Sequence, residues 1–195
     1  MTIREVQRDS HASIGHVGLA LITEMTRVSG LDDLCREVTA MKQAQISDEE
    51  ILRTLCGLLC QGKTDFDHVK GFLSDSFFRD SLGLRRVPSA EILRQRFQSL
   101  AMKSSLFDRL PECSVTLWKK AGMRPEYTVH GEKRWVRMDV DVTVFDNADT
   151  KKEGAGFTYN KRFGFAPIFA HLGGGWMVNT QLRPGSAHSC SEGTE

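Results

Sequence analysis

Trp135-Val136-Arg137-Met138-Asp139-Val140-Asp141-Val142-Thr143-Val144 is the stretch on which the fold turns. Val136, Met138, Val140, Val142 and Val144 recur at every second position, with Asp139 and Asp141 between them. Successive side chains of an extended chain point to opposite faces, so the pattern predicts a strand with a β-branched face and a carboxylate face. Downstream, residues 146–157 are polar and carry the breakers Asn147, Asp149, Gly154 and Gly156, which predicts a loop. Residues 163–171 and 176–182 are apolar on either side of Gly173-Gly174-Gly175, the pattern of a β-hairpin. Arg183-Pro184-Gly185 closes the third strand, and the small polar residues from Ser186 onward predict a tail that frays.

Upstream the texture is helical. Ile14, Val17, Leu21 and Met25 recur at three- and four-residue steps, Gly30 closes that segment, and residues 31–38 offer a second short helix. Ser47-Asp48-Glu49-Glu50 has the form of a capping box, opening a helix to about Cys60. Asp65 is an N-cap candidate for a helix carrying Phe66, Val69, Phe72 and Leu73, and residues 76–82 add a further turn or two. Pro88 and Ser89 start a longer amphipathic helix, with a stripe of Ile92, Leu93, Arg96, Phe97 and Leu100, to about Arg109; a last short helix is expected over residues 113–121. The expected fold class is therefore α+β, with a bundle of about six helices over residues 1–125 and strands over residues 126–195.

Composition narrows the function classes. No apolar run is long enough to span a bilayer and the N-terminus lacks a secretory layout, so a soluble, cytoplasmic protein with no membrane partner is expected. The five cysteines are odd in number and lack zinc-site spacing, so reduced thiols are expected, with Cys56 and Cys60 as small core residues of one helix face. Residues 1–125 hold 18 Lys/Arg against 16 Asp/Glu, and residues 126–195 hold 8 against 9. Neither part has the large positive excess of a non-specific phosphate binder, so any DNA-binding surface must be local. Arg85, Arg86, Arg94 and Arg96 cluster around the start of the Pro88 helix and are the first candidates; Lys119 and Lys120 form a second patch. A solvated charged face is the alternative for both.

Three strands in series have a face that needs a layer of helices, and no later sequence supplies it. This imbalance predicts a chain cut before its second domain is complete, with apolar surface on Val140, Val142, Phe165, Ile168 and Phe169.

Two stretches carry a family resemblance. The first is Gly62-Lys63-Thr64-Asp65-Phe66-Asp67-His68-Val69, followed by residues 75–84 ending in Leu82-Gly83-Leu84, then Val87-Pro88-Ser89. The second is Asp139-Val140-Asp141-Val142-Thr143, then Gly164-Phe165-Ala166-Pro167, then residues 182–189 beginning Leu182-Arg183-Pro184-Gly185. Their order and spacing, over roughly residues 15–190, resemble bacterial insertion-sequence transposases of the Asp-Asp-Glu class. The resemblance implies a helical DNA-binding region followed by the first three strands of a ribonuclease-H-like catalytic domain. It also implies cut-and-paste DNA transposition at element ends, with Mg²⁺ or Mn²⁺ as cofactor, in the bacterial cytoplasm at the nucleoid.

In that family two Asp and one Glu hold two divalent ions, which stabilise the attacking and the leaving oxygen of an in-line phosphoryl displacement. Hard Mg²⁺ favours such carboxylate oxygens. The Asp-x-Thr pattern puts the first carboxylate, catalytic residue and metal ligand at once, at Asp141; Asp139 is the competing assignment. Thr143 and Arg183 are supporting candidates, with a plain strand residue and a surface ion pair as their alternatives. The family's second Asp and its Glu would fall beyond Glu195, so the resemblance implies a truncated, catalytically incomplete copy. Self or full-length transposase are then possible partners, and a non-enzymatic DNA- or partner-binding inhibitor is the rival function. An unrelated enzyme using His188 or Cys190 lacks nucleophile–base spacing.

Overall fold

The computed structural model describes residues 17–38, 45–102, 104–148 and 151–188. Ile14, Asp149, Cys190, Glu192 and Glu195 lie outside them. The chain is mixed α+β and divides into two compact units between Lys120 and Ala121.

The helical unit is punctuated by caps that are local in sequence. Helix α1 (Leu19–Ser29) ends on Gly30, whose φ of 81° is the left-handed conformation that glycine adopts without a Cβ penalty. Helix α2 (Leu31–Val38) follows at once. Helix α3 (Asp48–Cys60) opens with both arms of a capping box: the Glu50 N–H donates to Ser47 Oγ at 3.4 Å and the Ser47 N–H to Glu50 Oε2 at 2.8 Å. Asp75 and Ser89 cap α4 (Ser76–Ser81) and α5 (Ala90–Ala101). Asp65 caps in the expected place, but residues Phe66–Phe72 form a 3-10 helix rather than an α-helix.

Three expectations are corrected here. Val17, Leu21 and Met25 are exposed, and α1 instead buries Leu19, Ile22, Thr23 and Thr26. The threonines are tolerated inside because Thr23 Oγ1 donates to the Ser81 carbonyl at 2.9 Å and Thr26 Oγ1 to the Thr23 carbonyl at 3.0 Å. The helix expected to run to Arg109 stops at Ala101, and α6 runs Ser104–Lys120 straight through Pro111. Leu100 and Leu106 are thereby both buried against Leu34 and Cys35, a tertiary gain that outweighs the proline's missing hydrogen bond.

The larger core lies between α1, α3, the 3-10 helix, α4 and α5, around Ile51, Leu58, Val69, Phe78, Leu82 and Leu93. Phe78 stacks on Phe72 at 4.4 Å between ring centroids. Gly57 lets α4 approach α3, since a Cβ there would sit 2.6 Å from Leu82 Cδ1.

Glu50 ties this unit across the chain, accepting from the Arg85 N–H at 2.6 Å and from its guanidinium at 2.7 Å. Burial pushes the Glu50 carboxyl up, but the hydrogen bonds from the Arg85 side chain, the Arg85 N–H and the Ser47 N–H outweigh it and hold the carboxyl below its ordinary 4.5. A carboxyl lowered in the folded state contributes stability that is present above its unfolded value and disappears as pH falls through the folded one. The stability gap between the wild type and Glu50→Gln, read from urea unfolding, should accordingly shrink as pH falls from about 6 to about 3. A gap that stays constant would place the stabilisation elsewhere.

Among its described residues the C-terminal unit holds strands and no helix. Strands β1 (Tyr127–His130) and β2 (Lys133–Val136) form a hairpin about Gly131. Strand β3 (Met138–Val142) pairs antiparallel with β7 (Ile168–Leu172), which pairs antiparallel with β8 (Trp176–Gln181). A third small sheet has β6 (Phe163–Phe165) between β4 (Phe145–Asp146) and β5 (Gly156–Phe157). The single strand expected over residues 135–144 is thus split at Arg137, whose carbonyl accepts from the Gly173 N–H at 2.8 Å, and Val144 lies outside β3. The run 163–171 is likewise split at Ala166-Pro167, where Ala166 N–H turns to the Arg183 carbonyl at 3.2 Å and Pro167 has no N–H to pair. The expected loop 146–157 contains the short β5.

Little of this unit is deeply buried. Ala166 and Pro167 are, together with Gly164, Gly173, Gly185, Thr158 and Arg183. Val140 is 52% exposed, while Val142, Phe165, Ile168 and Phe169 are half-buried.

Candidate functional site

Within the C-terminal unit, an open groove of about 660 Å³ runs beside β3, the edge strand of its sheet. Three pieces of chain form its walls: Val140, Asp141 and Val142 with Ile168; Phe157, Thr158 and Tyr159; and residues 185–188.

Each wall is held by backbone. Thr158 is buried and closes a tight turn, its N–H donating to the Arg162 carbonyl at 2.8 Å while the Lys161 N–H returns to the Thr158 carbonyl at 2.9 Å. Lys161 takes φ 64°, an uncommon conformation for a residue with a Cβ. Gly185 donates to the Gly154 carbonyl at 3.1 Å, and the Ala187 N–H folds back to Pro184 at 3.0 Å, which lays residues 186–188 along the groove. Below them Arg183 is 1% exposed, donating from Nε to the Ala166 carbonyl at 3.3 Å.

Asp141 is exposed and lines the groove, opposite Phe169 in the β3–β7 register. Asp139 lies two residues earlier on the same strand face, opposite His171; it is ion-paired to Arg137 at 2.9 Å and does not line the groove. Of the two carboxylates, Asp141 alone faces the cavity. Thr143 is exposed and anchors the end of β3 through its N–H to the Pro167 carbonyl at 3.0 Å, outside the groove lining. Arg183 is held beneath a wall rather than presented on a surface. His188, exposed, shares the groove with Asp141.

One carboxylate and one imidazole do not fit two divalent ions, which need several oxygen donors each. Among the described residues no group of three or more His, Cys, Asp or Glu is arranged to hold a metal. No catalytic step through a metal therefore follows from these residues alone. None of the four described cysteines lines the groove; burial raises the Cys56 and Cys113 thiols and pushes Cys35 up to about 12, while Cys60 is exposed rather than part of the core.

The arginine cluster of the helical unit is mostly engaged. Arg85 holds Glu50, Arg94 pairs with Asp67 and lies 3.7 Å from Asp65, and Arg96 pairs with Asp48 while donating to the Ile46 carbonyl at 3.1 Å. Arg86 is exposed and forms no ion pair among the described residues. In the second patch, Lys120 Nζ donates to the Val28 carbonyl at 2.9 Å.

Sequence reasoning passed over Phe157 and Tyr159. The signal was present as an aromatic at every second position of 157–159, between Lys151-Lys152 and Lys161-Arg162. The loop predicted over residues 146–157 stops at Phe157 and assigns nothing to Tyr159, so it gives no reason to place those rings beside Asp141. Among the described residues no helix is long and apolar enough to cross a membrane. Comparison of the chain with family models, with curated proteins and with solved structures returned no match.

Proposed function

We propose that this chain derives from a cut-and-paste DNA transposase, with a helical DNA-binding unit and a C-terminal unit that corresponds to the opening strands of a ribonuclease-H-like domain. The observation that carries this reading is Asp141, the carboxylate of the Asp-x-Thr pattern, exposed in a groove at the edge of the antiparallel set β3, β7, β8. Three antiparallel strands in chain order, with the carboxylate on the first, are what such a domain would open with. Asp141 would be one ligand for Mg²⁺ or Mn²⁺, its companions not being among the described residues. The partner is DNA, engaged by the helical unit, with Arg86 as the cation best placed to meet a phosphate.

A single carboxylate favours a second reading, a non-enzymatic binder that occupies element ends or pairs with an intact transposase. Gel-shift and nicking assays on DNA from the flanks of the gene separate the two. Salt-sensitive binding without nicking in Mg²⁺ or Mn²⁺ supports the binder; nicking abolished by Asp141→Ala supports the enzyme. Absence of DNA binding at low salt would sink both. Arg86→Ala should leave stability within about 0.5 kcal/mol of wild type and lower the salt slope of duplex binding by about 1.

A further inference from the structure

We infer that residues 151–162 form a landing surface for an unpaired DNA strand, whose bases stack on Phe157 and Tyr159 beside Asp141. This deepens the DNA reading above and rests on it. Phe157 and Tyr159 are 70% and 72% exposed, among the largest apolar exposures of the chain, and both line the Asp141 groove. Isolated exposed aromatics are ordinary on a protein surface; two that rim one groove on a hydrogen-bonded turn are a platform.

Charge selects the occupant. Between Lys151 and Arg162 the segment carries Lys151, Lys152, Lys161 and Arg162 against Glu153 alone, in a unit whose overall charge is close to balanced. Lys151, Lys161 and Arg162 are exposed and form no ion pair among the described residues. Cations for phosphates interleaved with ring faces for bases is the chemistry of single-strand recognition, where stacking needs no sequence and salt weakens binding. A duplex would use the cations but not the rings, because its base faces are already stacked on one another.

The platform is also set before the strand arrives. Phe157 packs edge-to-face on Phe163 at 5.5 Å, and the Thr158 hydroxyl donates to the Arg162 carbonyl at 2.8 Å, bracing the turn that carries Tyr159. Little ordering is then left for binding to impose. A strand end lying on these rings would bring its backbone into the groove that Asp141 lines.

The test is fluorescence anisotropy of the full chain with a labelled oligothymidine of about 16 nucleotides, and with a duplex of the same length. Tyr159→Ala and Phe157→Ala should each weaken single-strand binding on the order of tenfold, and Tyr159→Phe, which keeps the ring, should stay within about twofold. Duplex binding should move less than about twofold in all three variants. Wild-type single-strand affinity in both alanine variants, with duplex binding intact, overturns the platform and leaves the DNA reading standing. Equal losses on both DNAs also overturn it, since the segment would then be a general phosphate surface. If neither DNA binds the wild type, the DNA reading falls and takes the platform with it.

Discussion

An Arg96→Ala variant should lose about 3–5 kcal/mol of helical-unit stability in urea unfolding at neutral pH. Asp48 stands in the first turn of α3 with its side chain 3% exposed, and Arg96 of α5 reaches it with Nε at 2.9 Å and with Nη2. The same guanidinium donates to the Ile46 carbonyl at 3.1 Å, so one side chain serves a buried carboxylate and a loop carbonyl. Removing it takes away the one cation that pairs with Asp48 among the described residues while the carboxylate stays buried at the start of α3, and a lone buried charge costs far more than an ion pair contributes. Arg96→Lys should recover part of the loss, because a single ammonium replaces a fork of donors. Unchanged stability with weakened duplex binding would instead assign Arg96 to the DNA surface that the sequence suggests.

The second large effect is expected at Gly164. Its strand β6 lies between β4 and β5, and a Cβ there would collide with the Phe145 carbonyl oxygen and lie 2.9 Å from Asn147 N. Gly185 is packed in the same way, since a Cβ on it would collide with the carbonyl oxygens of Gly156 and Gly164. Backbone cannot swing aside as a side chain can. Gly164→Ala should therefore cost about 3 kcal/mol or more and open the sheet. Hydrogen exchange at the β6 amides would register the loss while the helical unit keeps its protection. Native protection in both Gly164→Ala and Gly185→Ala would show that the glycines pack less tightly than described. These two glycines belong to the Gly-aromatic-x-Pro and Arg-Pro-Gly patterns, so part of what resembles a family signature is a steric requirement of backbone approach.

Local signals were legible in proportion to how local their physics is. The Ser47/Glu50 capping box, the Asp65 cap, the Ser89 start and the Gly30 stop depend on atoms within four residues, and each can be placed from the chain. The face of α1 could not be, because two apolar stripes compete there and the buried one includes Thr23, whose hydroxyl reaches the Ser81 carbonyl only after folding, and Thr26, whose hydroxyl accepts from Arg53 of α3. The carboxylate alternation of β3 was likewise plain, yet the choice between Asp139 and Asp141 rests on the groove, built by chain 16 to 47 residues further on.

From the chain itself come the α+β division, the helix punctuation, the alternating strand and the pair of candidate carboxylates. These follow from periodicities and caps whose energies act over a few residues. Tertiary packing decided that Arg85, Arg94 and Arg96 hold carboxylates, that α6 passes through Pro111, that Arg183 is buried, and that Phe157 and Tyr159 stand with Asp141. Those outcomes depend on burial and on partners distant in sequence, whose desolvation costs and hydrogen bonds exist only once the chain has closed on itself.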